Sequence, residues 1–415
     1  MTSITWSGLM TTLGILAQLS CYLASPMTES TRKVDCSRFA PRPYTKESEK
    51  WEKPVLPLLQ DVASVYQGAE MYKVWGECAI QAVERAISST PLEKGMISLG
   101  LEGKRPFFSS KVNSRITYSD APLMGKGAFG TVSQGKWFHH HSPTSGIPVA
   151  IKVMRKDRIN IRRFFHELRL QIESFALDPH GVAQPLDIVA KKEDWLIIME
   201  KGDKSLYDAA YTGPSRAART INTPQGKKMA VNEGWIKPIA KSLAKTLMTL
   251  NDNGIVHGDV KPENVICFGD PCKPKLIDFG HAQDMRDHDD HDSRIPYLEP
   301  EEQPTLGTYL FSSYYVVQLA TGSDKYRRSH TFSRDMYSLA ALIHDLMIPT
   351  ERRGTNKKPQ YTERVVKREG LPSEIKISNE LLAFLSRALS RNQYIPLNWP
   401  LLEKTLKPWF SAPLP

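Results

Sequence analysis

An eight-residue segment near the middle of the chain, residues 257–264, combines a carboxylate, an ammonium group and an amide within six positions. Asp259 could accept a proton from a hydroxyl group, and Lys261 could neutralise the charge of a phosphoryl group in transfer. The amide of Asn264 could hold a magnesium ion. This segment is the strongest chemical signal in the sequence, and the chemistry that it indicates is phosphoryl transfer.

A second acidic motif, Asp278-Phe279-Gly280, follows the strand-like run 274–277. Carboxylate oxygens are the ligands that magnesium prefers. Asp278 is therefore a candidate metal ligand beside Asn264.

A glycine-rich segment, Gly125 to Gly130 with Gly127 between them, lies between two strand-like runs and precedes Val132. Glycine has no Cβ, so backbone N–H groups of such a hairpin can approach phosphate oxygens closely. The glycine loop of a dinucleotide-binding fold opens a helix instead. The surrounding pattern thus favours a phosphate-binding hairpin over a dinucleotide site.

Some twenty residues later, Lys152 ends the apolar run Val149-Ala150-Ile151. A lysine on a buried strand costs several kcal/mol unless its charge is paired. We expect phosphates and a carboxylate of the following helix as its partners. Glu167 is the predicted carboxylate, and Glu173 is the alternative.

These four motifs occur in one order and at one set of spacings, and in this respect residues 123–410 resemble the eukaryotic-type protein kinases. The resemblance implies an α+β, bilobal kinase-like fold in which a β-rich N-lobe lies over a helical C-lobe, with ATP and Mg2+ between them. It also implies a set of nucleotide-contacting residues: Gly125, Gly127, Gly130, Val132, Ala150, Lys152, Met199 as gatekeeper, Glu200 in the hinge and Ile266 below the adenine.

Lys261, two residues after Asp259, resembles the serine/threonine members of the family. The implied reaction is transfer of the ATP γ-phosphate to a hydroxyl of a protein substrate, with Asp259 as base. Lys261 and Lys152 would stabilise charge, and Glu167 would orient Lys152. Asn264 and Asp278 would hold magnesium.

The sequence departs from the family pattern at Gly258, where an arginine usually precedes the catalytic aspartate. That arginine normally pairs with a phosphate on the activation loop, so we predict that this chain needs no phosphate on Thr305 or Thr308. The usual Ala-Pro-Glu and its partner arginine near residues 394–396 are also absent, and this pattern is closer to casein-kinase-1-like enzymes.

Two other functions remain open. A pseudokinase or scaffold module would share the fold, although such proteins usually lose a lysine, an aspartate or a metal ligand that is present here. The triplet His257-Gly258-Asp259 also resembles small-molecule kinases such as the aminoglycoside and choline kinases. Those enzymes lack the glycine loop and the Val-Ala-Ile-Lys motif.

The elements that must position these residues can be predicted from apolar periodicity. Strands are predicted at 116–123, 131–138, 148–154, 184–189 and 195–199, and helices at 158–176 and 235–253. Residues 211–232 have the composition of an exposed insertion. Residues 55–88 predict one or two amphipathic helices that either pack on the catalytic domain or bind a partner.

Four segments follow from this pattern: a signal peptide at 1–25, a linker and helical extension at 26–114, an N-lobe at 115–201 and a C-lobe at 202–411. The apolar run 4–24 could instead be a membrane anchor or neither, because it lacks a positive n-region. If this segment is a signal peptide, we expect secretion or a place in the secretory pathway. Otherwise we expect a cytoplasmic location. A secreted kinase with an N-terminal extension is similar in architecture to the rhoptry-type kinases.

The formal net charge is +10, but the basic residues form scattered pairs. Such a pattern is typical of a solvated surface, and no nucleic-acid partner is expected. Residues 284–292 predict a solvated acidic activation loop, with metal binding as the alternative. Of the five cysteines, Cys267 and Cys272 flank a turn, and the demanding geometry of a cross-strand disulfide favours the unpaired state.

Overall fold

The computed structural model describes most of the region that carries the motifs. The described residues are 34–37, 39, 56, 59–88, 116–118, 124–127, 130–139, 142–155, 161–190, 194–212, 216–223, 226–285, 333–347, 376–389 and 399–413. The predicted signal peptide lies outside these residues, and so does most of the predicted linker.

The predicted amphipathic extension contains two helices, α1 (Leu59–Ala63) and α2 (Gly68–Ser88). Their apolar side chains form one buried face, which includes Val62, Val74, Trp75, Ala79 and Val83. A disulfide between Cys36 and Cys78 fastens the chain ahead of the helices to the middle of α2.

The N-terminal half of the motif region is an antiparallel sheet with one helix. Its elements are β1 (Ile116–Tyr118), β2 (Gly125–Gly127), β3 (Gly130–His139), β4 (Ser142–Arg155), α3 (Ile161–Leu177), β5 (Pro185–Ala190) and β6 (Asp194–Glu200). The strand order is β1-β3-β4-β6-β5, with β2 also paired to β3. Trp137, Val149, Ile151, Leu196 and Ile198 form the core of this sheet.

All five predicted strands are present, with different bounds. The described part of the first strand ends at Tyr118. Strand β4 begins at Ser142, ahead of the predicted start at 148, because it forms a long hairpin with β3 that pairs His139 with Ser142. The described part of helix α3 begins at Ile161, and residues 158–160 of the predicted helix lie outside the described residues.

The second half is mainly helical. It contains β7 (Lys204–Ser205), α4 (Leu206–Tyr211), β8 (Arg219–Thr223), β9 (Gly226–Ala230), α5 (Glu233–Asp252), β10 (Ile255–Val256), β11 (Val265–Phe268), β12 (Lys273–Leu276), β13 (Gln283–Asp284), α6 (Ser333–Met347), α7 (Asn379–Ala388) and α8 (Trp399–Ser411). The sheet region and the helical region together form the predicted α+β bilobal fold.

Helix α5 begins at Glu233, two residues ahead of the prediction, because the side chain of Asn232 caps it by accepting a hydrogen bond from Trp235 N at 2.8 Å. The buried Glu233 carboxylate then accepts hydrogen bonds from Ser378 Oγ at 2.6 Å and Trp409 Nε1 at 2.7 Å. One acidic side chain thus joins α5, α7 and α8.

The expectation that residues 211–232 form an exposed insertion is wrong for part of the segment. Strands β8 and β9 pair as a hairpin, and Ala218, Ile221, Ala230 and Val231 are buried. Val231 N donates to Leu346 O at 3.0 Å, which ties the hairpin to the end of α6.

The preference for unpaired cysteines at the β11–β12 turn is also wrong. Cys267 and Cys272 form a disulfide, and their Cα atoms are 4.8 Å apart. The hairpin pairs Phe268 with Lys273, which brings the two cysteines within bridging range. Cys21 lies outside the described residues.

Among the described helices, none is both long enough and apolar enough to cross a membrane.

Helix α2 packs directly on α3. The extension therefore packs on the catalytic domain, which is the first of the two roles predicted for it. Phe175 of α3 makes edge contacts with Trp75 at 5.1 Å and Tyr72 at 5.8 Å between ring centroids. The helices cross at Gly76, where an added Cβ would lie 2.9 Å from the Ala176 Cβ. Only glycine allows this close approach.

Replacing Gly76 with leucine is expected to lower the free energy of unfolding by about 1–3 kcal/mol, because the added side chain must displace α2 from α3. Urea denaturation measures the change. Leucine at Ala69, an exposed residue of the same helix, is the matched control. Equal unfolding midpoints for the two variants would contradict the observed crossing.

Candidate active site

One buried carboxylate, that of Asp335, fixes the start of the segment 257–264. Asp335, at the start of α6, accepts hydrogen bonds from His257 N and Gly258 N, both at 2.8 Å. Asn251 Nδ2 donates to the same side chain at 3.2 Å. The backbone ahead of Asp259 is therefore held by α6.

The three candidate residues of this segment converge. Lys261 Nζ lies 2.6 Å from Asp259 Oδ2, and Asn264 Nδ2 donates to the same oxygen at 2.8 Å. Asn264 Nδ2 also donates to Asp259 O at 2.9 Å. Because the Asn264 NH2 group is turned towards Asp259, its amide oxygen is the atom that could ligate a metal.

His257 connects this segment to the strand end that precedes Asp278. Its Nε2 lies 3.0 Å from Ile277 O, and its Nδ1 accepts a hydrogen bond from Asp259 N at 3.3 Å. A carbonyl only accepts and an amide N–H only donates, so these contacts assign the proton to Nε2 of a neutral imidazole. The ring also packs on Phe279, with centroids 4.8 Å apart.

Lys152 is buried between two carboxylates. Its Nζ pairs with Glu167 of α3 and lies 2.7 Å from Asp278 Oδ1. Glu173, the alternative partner, instead pairs with Arg169 at 3.0 Å. The lysine thus joins β4, α3 and the Asp278 turn.

The charges of this cluster depend on one another. Burial would raise the pKa of Asp278, but the charge and hydrogen bond of Lys152, together with the charges of Lys261 and His281, outweigh burial and hold that pKa well below its usual value. Burial would lower the pKa of Lys152, and the carboxylates of Asp278 and Glu167 outweigh it and raise that pKa. For Glu167, burial has the larger effect and raises its pKa, opposed by Lys152.

The two clusters adjoin each other. Ile277, the residue before Asp278, donates from its backbone N to Asn264 O at 3.0 Å. The charge of Lys261 also acts on Asp278. The cations Lys152 and Lys261 and the side chains of Asp259, Asn264 and Asp278 therefore border one site.

The glycine-rich segment forms the β2–β3 hairpin. Gly125 pairs with Val132, and Gly127 pairs with Gly130. A Cβ at Gly130 would lie 2.2 Å from Val153 O, so the approach of β3 to β4 requires glycine there, whereas a Cβ at Gly125 would meet nothing within 4 Å. Residues 128–129 lie outside the described residues.

The residues implied to surround an adenine share one face of the sheet. Val132 is opposite Lys152, and Ala150 is opposite Met199. Because opposite residues of antiparallel strands point to the same face, Val132, Ala150 and Met199 lie on the face that carries Lys152. This face looks towards Asp278, to which Lys152 reaches.

Two further residues belong to the hinge region. A Cβ at Gly202 would lie 2.2 Å from Ile266 Cγ2, so only glycine fits between the hinge and β11. The Glu200 carboxylate accepts from Gln184 N at 2.8 Å and pairs with Lys275 Nζ at 2.6 Å. A nucleotide contact of Glu200 would therefore involve its main chain.

The structure adds functional candidates that the sequence reasoning missed. Arg169 of α3 pairs with Asp284 of β13, and His166 Nε2 lies 3.1 Å from Ala282 O. Both contacts join α3 to the segment after Asp278. In the sequence, the i, i+4 spacing of Arg169 and Glu173 indicates only a pair within the helix and does not point to Asp284.

The expectation of a solvated acidic loop is wrong for Asp284. This residue is buried because β13 pairs with β10, which brings Asp284 opposite Ile255 and beneath α3. Residues 286–292 lie outside the described residues, and so do Thr305, Thr308 and residues 394–396.

Within the described part of the chain, no cluster of three or more His, Cys, Asp or Glu side chains could hold a metal ion. Magnesium sites in phosphoryl-transfer enzymes usually combine one or two protein ligands with phosphate oxygens. Asp278 and Asn264 supply donors of that kind.

Comparisons with known proteins agree with this geometry. Residues 118–400 match the family model described as "Protein kinase domain". The chain is 24% identical over 289 residues to "Serine/threonine-protein kinase TIO" of Arabidopsis thaliana, covering 69% of this chain and 19% of that protein. It is 25% identical over 316 residues to "Serine/threonine-protein kinase pim-2" of Danio rerio, covering 70% and 84%.

A third relative, "NUAK family SNF1-like kinase 1" of Mus musculus, is 27% identical over 208 residues, which cover 48% of this chain and 28% of that protein. The chain thus spans less than a third of the Arabidopsis and mouse relatives and most of the zebrafish one. The family match extends over well more than half of the chain and includes all four motifs. The chain therefore belongs to the eukaryotic-type protein kinase family, with serine/threonine kinases among its relatives.

Proposed function

We propose that this chain is an ATP- and magnesium-dependent serine/threonine protein kinase. The observation that carries the proposal is the convergence of Lys152, Asp259, Lys261, Asn264 and Asp278 on one site, although they are separated by up to 126 residues along the chain. Pairing of Lys152 with Glu167 supports an arrangement that is competent for transfer, since active kinases require this ion pair.

The chain's own groups supply the steps of this reaction. Asp259 orients the substrate hydroxyl and accepts its proton, and Lys261, which already contacts Asp259, offsets the negative charge of the γ-phosphoryl group. Lys152 positions the other phosphates of the nucleotide. Asp278 and the Asn264 amide oxygen would hold magnesium, which would supply positive charge to offset the negative charge of the phosphates.

The acceptor is expected to be a protein serine or threonine. Lys261 is the residue that supports this choice, because serine/threonine kinases carry a lysine two positions after the catalytic aspartate. The relatives named as serine/threonine-protein kinases support it as well.

Replacing Asp259 with asparagine is expected to lower kcat by about 10²–10³-fold or more, because the amide cannot accept the hydroxyl proton. The assay is transfer of radiolabelled phosphate from ATP to generic basic proteins by the purified full chain. Asp252→Asn, at an exposed position near the end of α5, is the matched control and is expected to retain activity.

The same assay separates the alternatives. ATP binding without transfer by the wild-type chain would favour a pseudokinase or scaffold. Transfer only to a small metabolite would favour a small-molecule kinase. Equal transfer by the wild type and Asp259→Asn would refute the role of Asp259.

We further propose that activity does not require activation-loop phosphorylation. Position 258 lacks the arginine that would bind such a phosphate. The contacts of Arg169 with Asp284 and of His166 with Ala282 support the proposal. They join α3, without a phosphate, to the start of the activation segment, which is the chain that follows Asp278-Phe279-Gly280.

Phosphatase-treated protein and the double variant Thr305→Ala/Thr308→Ala are expected to keep kcat within about twofold of the untreated wild type. Mass spectrometry verifies the absence of phosphate in each sample. A gain of tenfold or more on phosphorylation of either threonine would contradict the proposal.

We also propose that the chain is exported. Two disulfides, Cys36–Cys78 and Cys267–Cys272, support an oxidising compartment, since such bonds are rare in reducing ones. The apolar segment 4–24 supports a signal peptide.

Protein recovered from its native cells under alkylating conditions is expected to resist alkylation at all four of these cysteines unless it is first reduced. Peptide mass spectrometry measures the labelled fraction. Complete alkylation without reductant would place the protein in a reducing compartment.

A further inference from the structure

Gly258 occupies a backbone position that is closed to an arginine. Its φ is +78°, in the left-handed region that favours glycine. A Cβ at this residue would lie 2.4 Å from His281 O. The backbone after Asp278-Phe279-Gly280 therefore fills the space through which a side chain of residue 258 would leave the loop.

A guanidinium reaches the same place from a different element. Arg334, the second residue of α6, is buried, and its Nη2 lies 3.5 Å from the point where a Gly258 Cβ would stand. Nη2 donates to Gly258 O at 3.4 Å, and Nη1 donates to Gln283 Oε1 at 3.2 Å. One side chain thus bridges β13 and the segment 257–264, here called the catalytic loop.

Burial of a guanidinium is costly unless opposite charges lie nearby. Asp335 and Asp259 are the carboxylates whose charges act favourably on Arg334. Burial itself opposes the charged form and lowers the pKa of Arg334. Arginine keeps its charge in proteins because its usual pKa is very high, and Asp335 and Asp259 offset part of the cost of burial.

Arg334 and Asp335 bind the two backbone polar groups of Gly258, its N–H and its C=O. Asp335 accepts from Gly258 N, and Arg334 donates to Gly258 O. Because Gly258 O belongs to the peptide that continues into Asp259, fixing this carbonyl limits rotation of the peptide and of the Asp259 backbone.

We propose that Arg334 is a positioning residue for Asp259. The Arg334 guanidinium reaches from α6 and joins the catalytic loop to the activation segment. It does so at Gly258, where the kinase pattern usually has an arginine. This inference rests on the proposed function. Arg334 acts through the peptide of Gly258 and through Gln283.

The test compares Arg334→Met, Arg334→Lys and Ser338→Ala. Methionine keeps an unbranched apolar chain without the guanidinium, and lysine restores the charge. Ser338 lies one turn later and donates to Arg334 O at 2.8 Å, so Ser338→Ala perturbs the same buried helix and keeps the guanidinium.

Arg334→Met is expected to lower kcat about tenfold or more while KM for ATP stays within about twofold, because nucleotide contacts remain and the orientation of Asp259 is lost. Arg334→Lys is expected to recover part of the lost kcat. Ser338→Ala is expected to keep kcat within about twofold even if its thermal midpoint falls.

Hydrogen–deuterium exchange provides a readout that does not depend on activity. Peptides covering residues 257–264 and 281–285 are expected to exchange about tenfold faster in Arg334→Met than in Ser338→Ala. If Arg334→Met does not fold, Gln283→Leu, which removes one arm of the bridge, takes its place with a smaller expected loss of kcat, about threefold.

Wild-type kcat in Arg334→Met would overturn the inference and leave the kinase assignment intact. The inference would also fail if kcat fell in proportion to thermal stability in both Arg334→Met and Ser338→Ala, and if residues 257–264 exchanged at the same rate in the two variants. If the wild type transfers no phosphate, the proposed function fails and the exchange measurement alone decides the positioning role.

Discussion

One buried ammonium group, Lys152 Nζ, holds the site together. It lies between the carboxylates of Glu167 and Asp278, which come from a helix and from a turn far along the chain. Removing one member of a buried charge cluster leaves the others without compensation, at a cost of about 3–5 kcal/mol. The relative positions of β4, α3 and the Asp278 turn are therefore coupled through this one cation.

Other contacts support this cluster from outside. Helix α2 packs on α3 through Trp75 and Phe175, and the Cys36–Cys78 disulfide fastens the preceding chain to α2. The ion pair of Arg169 with Asp284 joins α3 to β13 on another side. Helix α3, which carries Glu167, is thus held by the extension and by the start of the activation segment.

The sequence predicted the strands, the main helices and the convergence of the motifs, because these depend on apolar periodicity and on residue types with few alternative roles. It did not predict partners that depend on tertiary placement. From the sequence, Asp284 was predicted to be a solvated acid, but the pairing of β10 with β13 buries it. Cys267 and Cys272 were predicted to be unpaired, because the register of their hairpin cannot be predicted from the sequence. Arg334 precedes Asp335 in sequence, but its approach to Gly258 requires the crossing of α6 beneath the loop.

The most direct measurement is a crystal structure of the full chain with a non-hydrolysable ATP analogue and Mg2+. The account predicts that Lys152 Nζ contacts phosphate oxygens, that Asp278 and Asn264 Oδ1 ligate the ion, and that Asp259 faces the γ-phosphate. A nucleotide bound elsewhere, or an ion without Asp278 among its ligands, would contradict it.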